Sequence, residues 1–305
     1  MNLNNSRWLG HAACFLAYSI FGFNIIVCKS LTSSTYLSPM GIFLLRSVGA
    51  GAIFWVLSLI LPHETVARRD LPKIFVASLL GFFLTQLLFL AAIPLITPME
   101  SSIMSSLTPI YTMFVAAVAV REPITVKKAA GVLLSLSGVL YLILGMKTTG
   151  GVQQSSPIGI ALMVGNALFF AMYLGIFRPL IERYSVVTFM KWIFLFSTVM
   201  SSPFAFEEVI SVDYSALPSR WLWELSFLIV LATFVAYYLI PLGQKLIRPT
   251  LVSMYSYAQP IIAISISIAL GMDRLTVGRV IATLVIFAGV VVVSRSRSAA
   301  NGVSK

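Results

Sequence analysis

Charge is what this chain has least of. Of its 305 residues only 10% are Asp, Glu, Lys or Arg, and the mean hydropathy is +0.96. That balance excludes a soluble globular domain and makes the bilayer the solvent. Histidine occurs only at positions 11 and 63, with no His-Glu-x-x-His spacing and no acid pair inside an apolar run. The clustered nucleophile, base or metal set that a membrane-embedded enzyme needs is therefore missing, and no enzyme, metal or cofactor is expected. A glycine-rich phosphate loop is also lacking, which excludes a nucleotide-driven motor. Connections run to about a dozen residues at most, too short for the soluble output domain of a scaffold or sensor. The two cysteines, Cys14 and Cys28, share one apolar run, and helical rise holds them roughly 21 Å apart, too far for a disulfide.

What the chain does have is apolar length. Ten stretches stand out, at 8–29, 38–61, 71–95, 98–120, 124–145, 157–180, 187–206, 220–243, 249–270 and 276–294, each near the ~20 residues that span a bilayer as a helix. The first is too long for a signal core and is expected to remain as helix 1. Continuous runs argue for helices rather than the alternating strands of a barrel. The net charge of +11 is explained by its placement. Ten spans put 14 of the 21 basic residues on one face and 5 on the other, with Arg46 and Lys191 inside helices. Both termini are predicted cytoplasmic on this count, in a multi-pass protein of the cytoplasmic (inner) membrane. No basic stretch is interleaved with aromatics, so nucleic acid is not an expected partner; the partners expected are the lipid bilayer and a small-molecule solute, with a homodimer left open.

The chain also repeats itself. A shift of 151 pairs Ser102 with Ser253, Ser105 with Ser256, Pro109 with Pro260, Glu122 with Asp273, Thr125 with Thr276, Lys128 with Arg279 and Gly138 with Gly289. A five-helix unit has an odd number of spans, so its second copy enters from the opposite side. The expected fold is all-α integral membrane, with ten transmembrane helices as two inverted five-helix repeats, 1–150 and 151–305, the second ending in a short cytoplasmic tail. Inverted repeats are the architecture of secondary transporters, with the solute site between the halves near the midplane.

Helix 1 carries Phe21-Gly22-Phe23-Asn24 and then Lys29; helix 2 carries Pro39 and then Arg46. Helices 4 and 5 carry a serine-rich turn, Pro109, Glu122-Pro123-Ile124-Thr125, Gly131 and Gly138, largely repeated in helices 9 and 10 with Asp273 and Ala282 as departures. In this order the motifs resemble the ten-helix, EamA-like branch of the drug/metabolite transporter superfamily over nearly the whole chain. The resemblance implies helices 1–4 and 6–9 around a central cavity, helices 5 and 10 at the periphery, and a carrier of small metabolites, often an exporter.

The solute expected is small and amphipathic, an amino acid or a relative, with an anionic group as one alternative. A cation in hydrocarbon is costly, so Arg46 and Lys191 face a cavity, a partner or the interface. Lys191 either meets solute or snorkels to the headgroups. Arg46 either faces the cavity, the favoured reading, or bonds carbonyls freed by Pro109. Ser101, Ser105, Thr108 and Thr112 form one stripe of helix 4. Pro109 and Pro260 each remove a backbone donor, and such irregular backbone survives in a membrane only where it is buried or lines a wet cavity. Ser102, Ser105, Ser256 and Gln259 are accordingly expected at the site. Asn24, Gln86 and Asn166 are polar groups that serve either the site or helix association, and Tyr173 and Tyr237 are the deepest of the candidate wall aromatics. Trp221 and Trp223 are expected in an interfacial belt. Gly131, Ser135 and Gly138 are expected where helix 5 packs on helix 10. Glu122 and Asp273 read as helix anchors or gate residues. With no carboxylate in the middle third of any helix, exchange or facilitated diffusion is expected ahead of an intramembrane proton relay.

Overall fold

A computed structural model describes residues 3–34, 36–119, 125–145, 156–271 and 276–294, and every regular element among these is helical. Among the described residues ten long helices run in chain order, with a short helix Arg178–Arg183 between the sixth and seventh: α1 Leu3–Thr32, α2 Pro39–Ile60, α3 Arg68–Leu95, α4 Pro98–Ala119, α5 Val126–Gly145, α6 Pro157–Ile176, α7 Val186–Ser211, α8 Ser219–Leu246, α9 Pro249–Met254 continuing through Tyr255–Tyr257 to Ala258–Ala269, and α10 Val277–Ser294. Eight of them are long and apolar enough to cross a membrane. The other two, α5 and α10, have 20 and 18 residues and lie against one another. Glu122 and Asp273 lie outside the described residues.

The starts of the helices are written locally. Ser38-Pro39, Thr97-Pro98 and Ser156-Pro157 each place a hydroxyl cap before a proline whose missing N–H costs nothing in the first turn. At α4 the cap is reciprocal: Thr97 accepts from the Glu100 N–H at 3.3 Å while the Glu100 carboxylate accepts from the Thr97 N–H at 3.1 Å.

Packing follows the internal repeat. Helix α1 packs on α8 and α9, and its repeat mate α6 packs on α3 and α4; α2 lies on α7, α4 meets α9, and α5 lies on α10. Exchanging the halves reproduces the set, so the apolar core forms between the halves. Two glycines let helix backbones from the two halves come close. A Cβ at Gly22 would stand 3.1 Å from the Gln259 carbonyl oxygen of α9, and one at Gly289 would collide with the Gly131 carbonyl and Ser135 of α5. Small residues of this kind let membrane helices meet backbone to backbone.

The helices around the centre are interrupted in repeat-related places. Helix α4 breaks at Ser106–Leu107 and α9 at Tyr255–Tyr257, each just before its proline. Helices α3 and α8 each contain a π-helical turn, at Leu79–Leu84 and Val230–Val235, and these too are 151 residues apart. Such turns concentrate at functional sites.

Gly289→Leu should lower the stability of the purified protein by about 1–3 kcal/mol through overpacking. A melting temperature in detergent equal to wild type would contradict the close α5–α10 contact.

Candidate functional site

The four interruptions surround one cavity. Helix α4 arrives broken because Pro109 cannot donate to the Ser105 carbonyl, and Thr108 Oγ1 donates to that carbonyl instead at 2.8 Å. The same habit runs along the stripe: Ser105 Oγ donates to the Ser101 carbonyl at 2.9 Å and Thr112 Oγ1 to the Thr108 carbonyl at 2.8 Å. These hydroxyls spend their protons on backbone and keep lone pairs for a neighbour. At the π-helical turns threonines act likewise, Thr85 Oγ1 donating to the Leu80 carbonyl and Thr233 Oγ1 to the Leu228 carbonyl, each at 2.6 Å. The Thr85 carbonyl in turn accepts from Asn166 Nδ2 of α6 at 2.7 Å.

Between these elements lies a cavity of about 50 Å³ measured at the centres of water-sized spheres, inside a recess of about 470 Å³ that includes its mouth. One water needs about 10–15 Å³ on the first measure, so several fit. Tyr18, Phe21 and Asn24 of α1 form one wall, and Thr85, Gln86 and Phe89 of α3 another. Ser105 and Thr108 of α4, Asn166 and Phe170 of α6, Tyr237 of α8 and Gln259 of α9 close it. Gln86 Nε2 donates to the Tyr237 hydroxyl at 2.6 Å, and these two residues are repeat mates. Phe21 stands edge-on to Tyr237 with ring centroids 5.6 Å apart. Buried Gln86 Oε1 and Tyr18 OH have no hydrogen-bond partner.

Of the residues expected at the site, Asn24, Gln86, Ser105, Tyr237 and Gln259 are brought together on this wall. Ser102, Tyr173 and Ser256 are buried but are not part of the lining: Ser102 Oγ donates to the Met99 carbonyl at 2.7 Å, Tyr173 packs on Gly81 and stacks with Phe170, and Ser256 Oγ is unpartnered. The two intramembrane cations lie elsewhere. Lys191 sits over the Trp55 ring, 4.9 Å from its centroid. Arg46 is 0% exposed; its Nε donates to Thr233 Oγ1 at 2.8 Å, and Nη1 and Nη2 have no partner. It neither lines the cavity nor bonds the carbonyl freed by Pro109. Tyr18, Phe21, Thr85, Phe89 and Phe170 were not expected in the lining, and Thr108 and Asn166 read equally well as packing residues. For Thr108 a signal existed: the 151-residue shift pairs it with Gln259.

Polar clusters tie the halves together at both ends of the helices. On the Arg68 face, buried Asp70 accepts from Arg183 Nη1 at 2.6 Å, the Tyr184 hydroxyl at 2.8 Å and Lys73 Nζ at 3.2 Å. Nearby, Glu64 accepts from the Ser185 N–H at the start of α7, and although burial pushes this carboxyl up, the hydrogen bonds from Ser185 and Thr188 hold it below the usual range. On the opposite face, Glu208 accepts from Ser38, and Glu224 from Ser30. There Lys29 Nζ donates to the Ile93, Pro94 and Ile96 carbonyls at 3.0–3.1 Å, closing the end of α3. Trp221, expected in an interfacial belt, is instead buried and donates to Ser34 Oγ at 3.0 Å, whereas Trp223 is exposed.

Comparison with known proteins places this arrangement in context. The family model described as the EamA-like transporter family matches residues 8–144 and 157–295. An "Uncharacterized transporter" of Archaeoglobus fulgidus is 23% identical over 267 residues, 87% of this chain and 92% of the relative. The "Uncharacterized transporter YetK" of Bacillus subtilis is 28% identical over 260 residues, 82% of this chain and 76% of the relative. One solved crystal structure matches with a TM-score of 0.66 at 18% identity, covering 96% of this chain and 98% of its own, which is a likeness of fold.

A double-mutant cycle with Gln86→Leu and Tyr237→Phe should return a coupling of about 0.6–1.7 kcal/mol in reversible unfolding. Additive effects would show that the cross-repeat hydrogen bond contributes nothing.

Proposed function

Because the chain belongs to the EamA-like transporter family, we propose that it is a secondary transporter moving a small amphipathic metabolite across the cytoplasmic membrane by alternating access, in the export direction. The observation that supports this most is the central cavity, walled by helices of both halves and lined by amides, hydroxyls and aromatic rings. The solute class is an amino acid or a related small amphipathic metabolite, with an anionic group as one alternative. The orientation with both termini in the cytoplasm rests on the 14 to 5 skew of basic residues.

In this reading the two halves rock about the cavity. The Asp70 cluster opens on one side while the Glu208 and Glu224 contacts hold the other, then the roles reverse. The π-helical turns and the proline breaks are where α3, α4, α8 and α9 bend. Carboxylates such as Asp70, Glu100 and Glu224 stand at helix ends, so the solute gradient or exchange is the energy source that fits.

Purified protein in proteoliposomes should show saturable counterflow of at least one member of a panel of amino acids, organic acids, nucleosides and sugars. Thr108→Trp, which fills the cavity, should reduce that flux at least tenfold, whereas Thr108→Ser, which keeps a hydroxyl for the Ser105 carbonyl, should retain it. Absence of both flux and binding across the panel would overturn the transport reading.

A further inference from the structure

The walls of the cavity say more about the solute than the fold does. None of the described lining residues is charged. A formal charge moved from water into such a site needs a partner there. The two cations that could have served an anion do not reach it: Lys191 is spent on Trp55, and the Arg46 guanidinium is held outside the lining by Thr233. No described residue of the lining thus offers a charged solute an ion-pair partner.

What the lining offers is a set of carboxamides facing aromatic rings. Asn24, Gln86, Asn166 and Gln259 each carry an adjacent donor and acceptor, and Tyr18, Phe21, Phe170 and Tyr237 supply ring faces and edges. Two of these groups are short of partners, since Gln86 Oε1 and Tyr18 OH are buried without a hydrogen bond. A buried acceptor left unmade is costly, and a ligand donor would recover that cost. Carboxamides pair two-pronged with the edge of a heterocycle carrying neighbouring donor and acceptor atoms, and aromatic side chains stack on its face.

We infer that the cavity takes an uncharged, planar heterocycle with adjacent donor and acceptor groups on its edge, of the nucleobase or nucleoside type. This rests on the transport reading above and narrows it to a substrate class. Gln86 and Gln259, the amides from opposite halves, grip the edge, and the ring cluster of Phe21, Phe170 and Tyr237 lies against the rest of the solute.

The test is counterflow in proteoliposomes with adenine, uracil and uridine set against phenylalanine, succinate and putrescine. The heterocycles should exchange, and Gln86→Leu or Gln259→Leu should weaken their half-saturation at least tenfold. Gln259→Asn should restore part of it, and Lys191→Gln should leave it unchanged. Uridine should also raise the melting temperature of the solubilised wild type, and not that of Gln86→Leu. Exchange of phenylalanine or succinate without exchange of any heterocycle would overturn this inference and leave the transport reading standing. No exchange of any solute in either panel would overturn both.

Discussion

A carbonyl that loses its helical partner inside a bilayer finds no water, so another protein group must satisfy it, and this constraint organises the centre of the molecule. Four helices are interrupted there, α3 and α8 by π-helical turns and α4 and α9 ahead of prolines. Three of the freed or displaced carbonyls are met by threonines one turn on, and the Thr85 carbonyl by Asn166 from the other half. Every such repair places a polar side chain against the midline between the halves. The polar lining of the cavity is thus in part the by-product of keeping broken helices tolerable in lipid.

Charge is handled by the opposite rule. Among the described residues the carboxylates and most of the bases gather toward helix ends, where Asp70, Glu208 and Glu224 join the halves. The two cations within the membrane are kept off the cavity by a ring and by a threonine hydroxyl. An intramembrane arginine carries a cost of about 2.5–3.5 kcal/mol on insertion scales. The Thr233 it engages belongs to the π-helical turn of α8, so Arg46 reads the shape of that turn.

Much of the architecture was legible in the sequence because lipid leaves few alternatives. Span length and the 151-residue self-match mark out the ten helices and their two halves, and Gly131 and Ser135 mark the face of α5 that meets Gly289 of α10. The prolines located two of the four interruptions. The π-helical turns escaped notice because nothing in Leu79–Leu84 or Val230–Val235 removes a backbone donor; packing across the halves imposes them. Rotation of each helix about its axis was equally hidden. In an all-apolar helix the hydrophobic pattern does not separate the lipid face from the core face, so Tyr18 and Phe21 gave no sign of lining a cavity, and Arg46 none of turning toward α8.

The central claim is that the cavity between the halves is reached from both sides of the membrane in turn. Introducing Ser105→Cys into a chain with Cys14→Ala and Cys28→Ala gives a single reporter on the cavity wall. Membrane-impermeant maleimides applied separately to sealed right-side-out and inside-out vesicles read its access. Labelling from both sides, slowed by transported solute in each case, is the predicted result. Labelling confined to one side would contradict alternating access through this cavity.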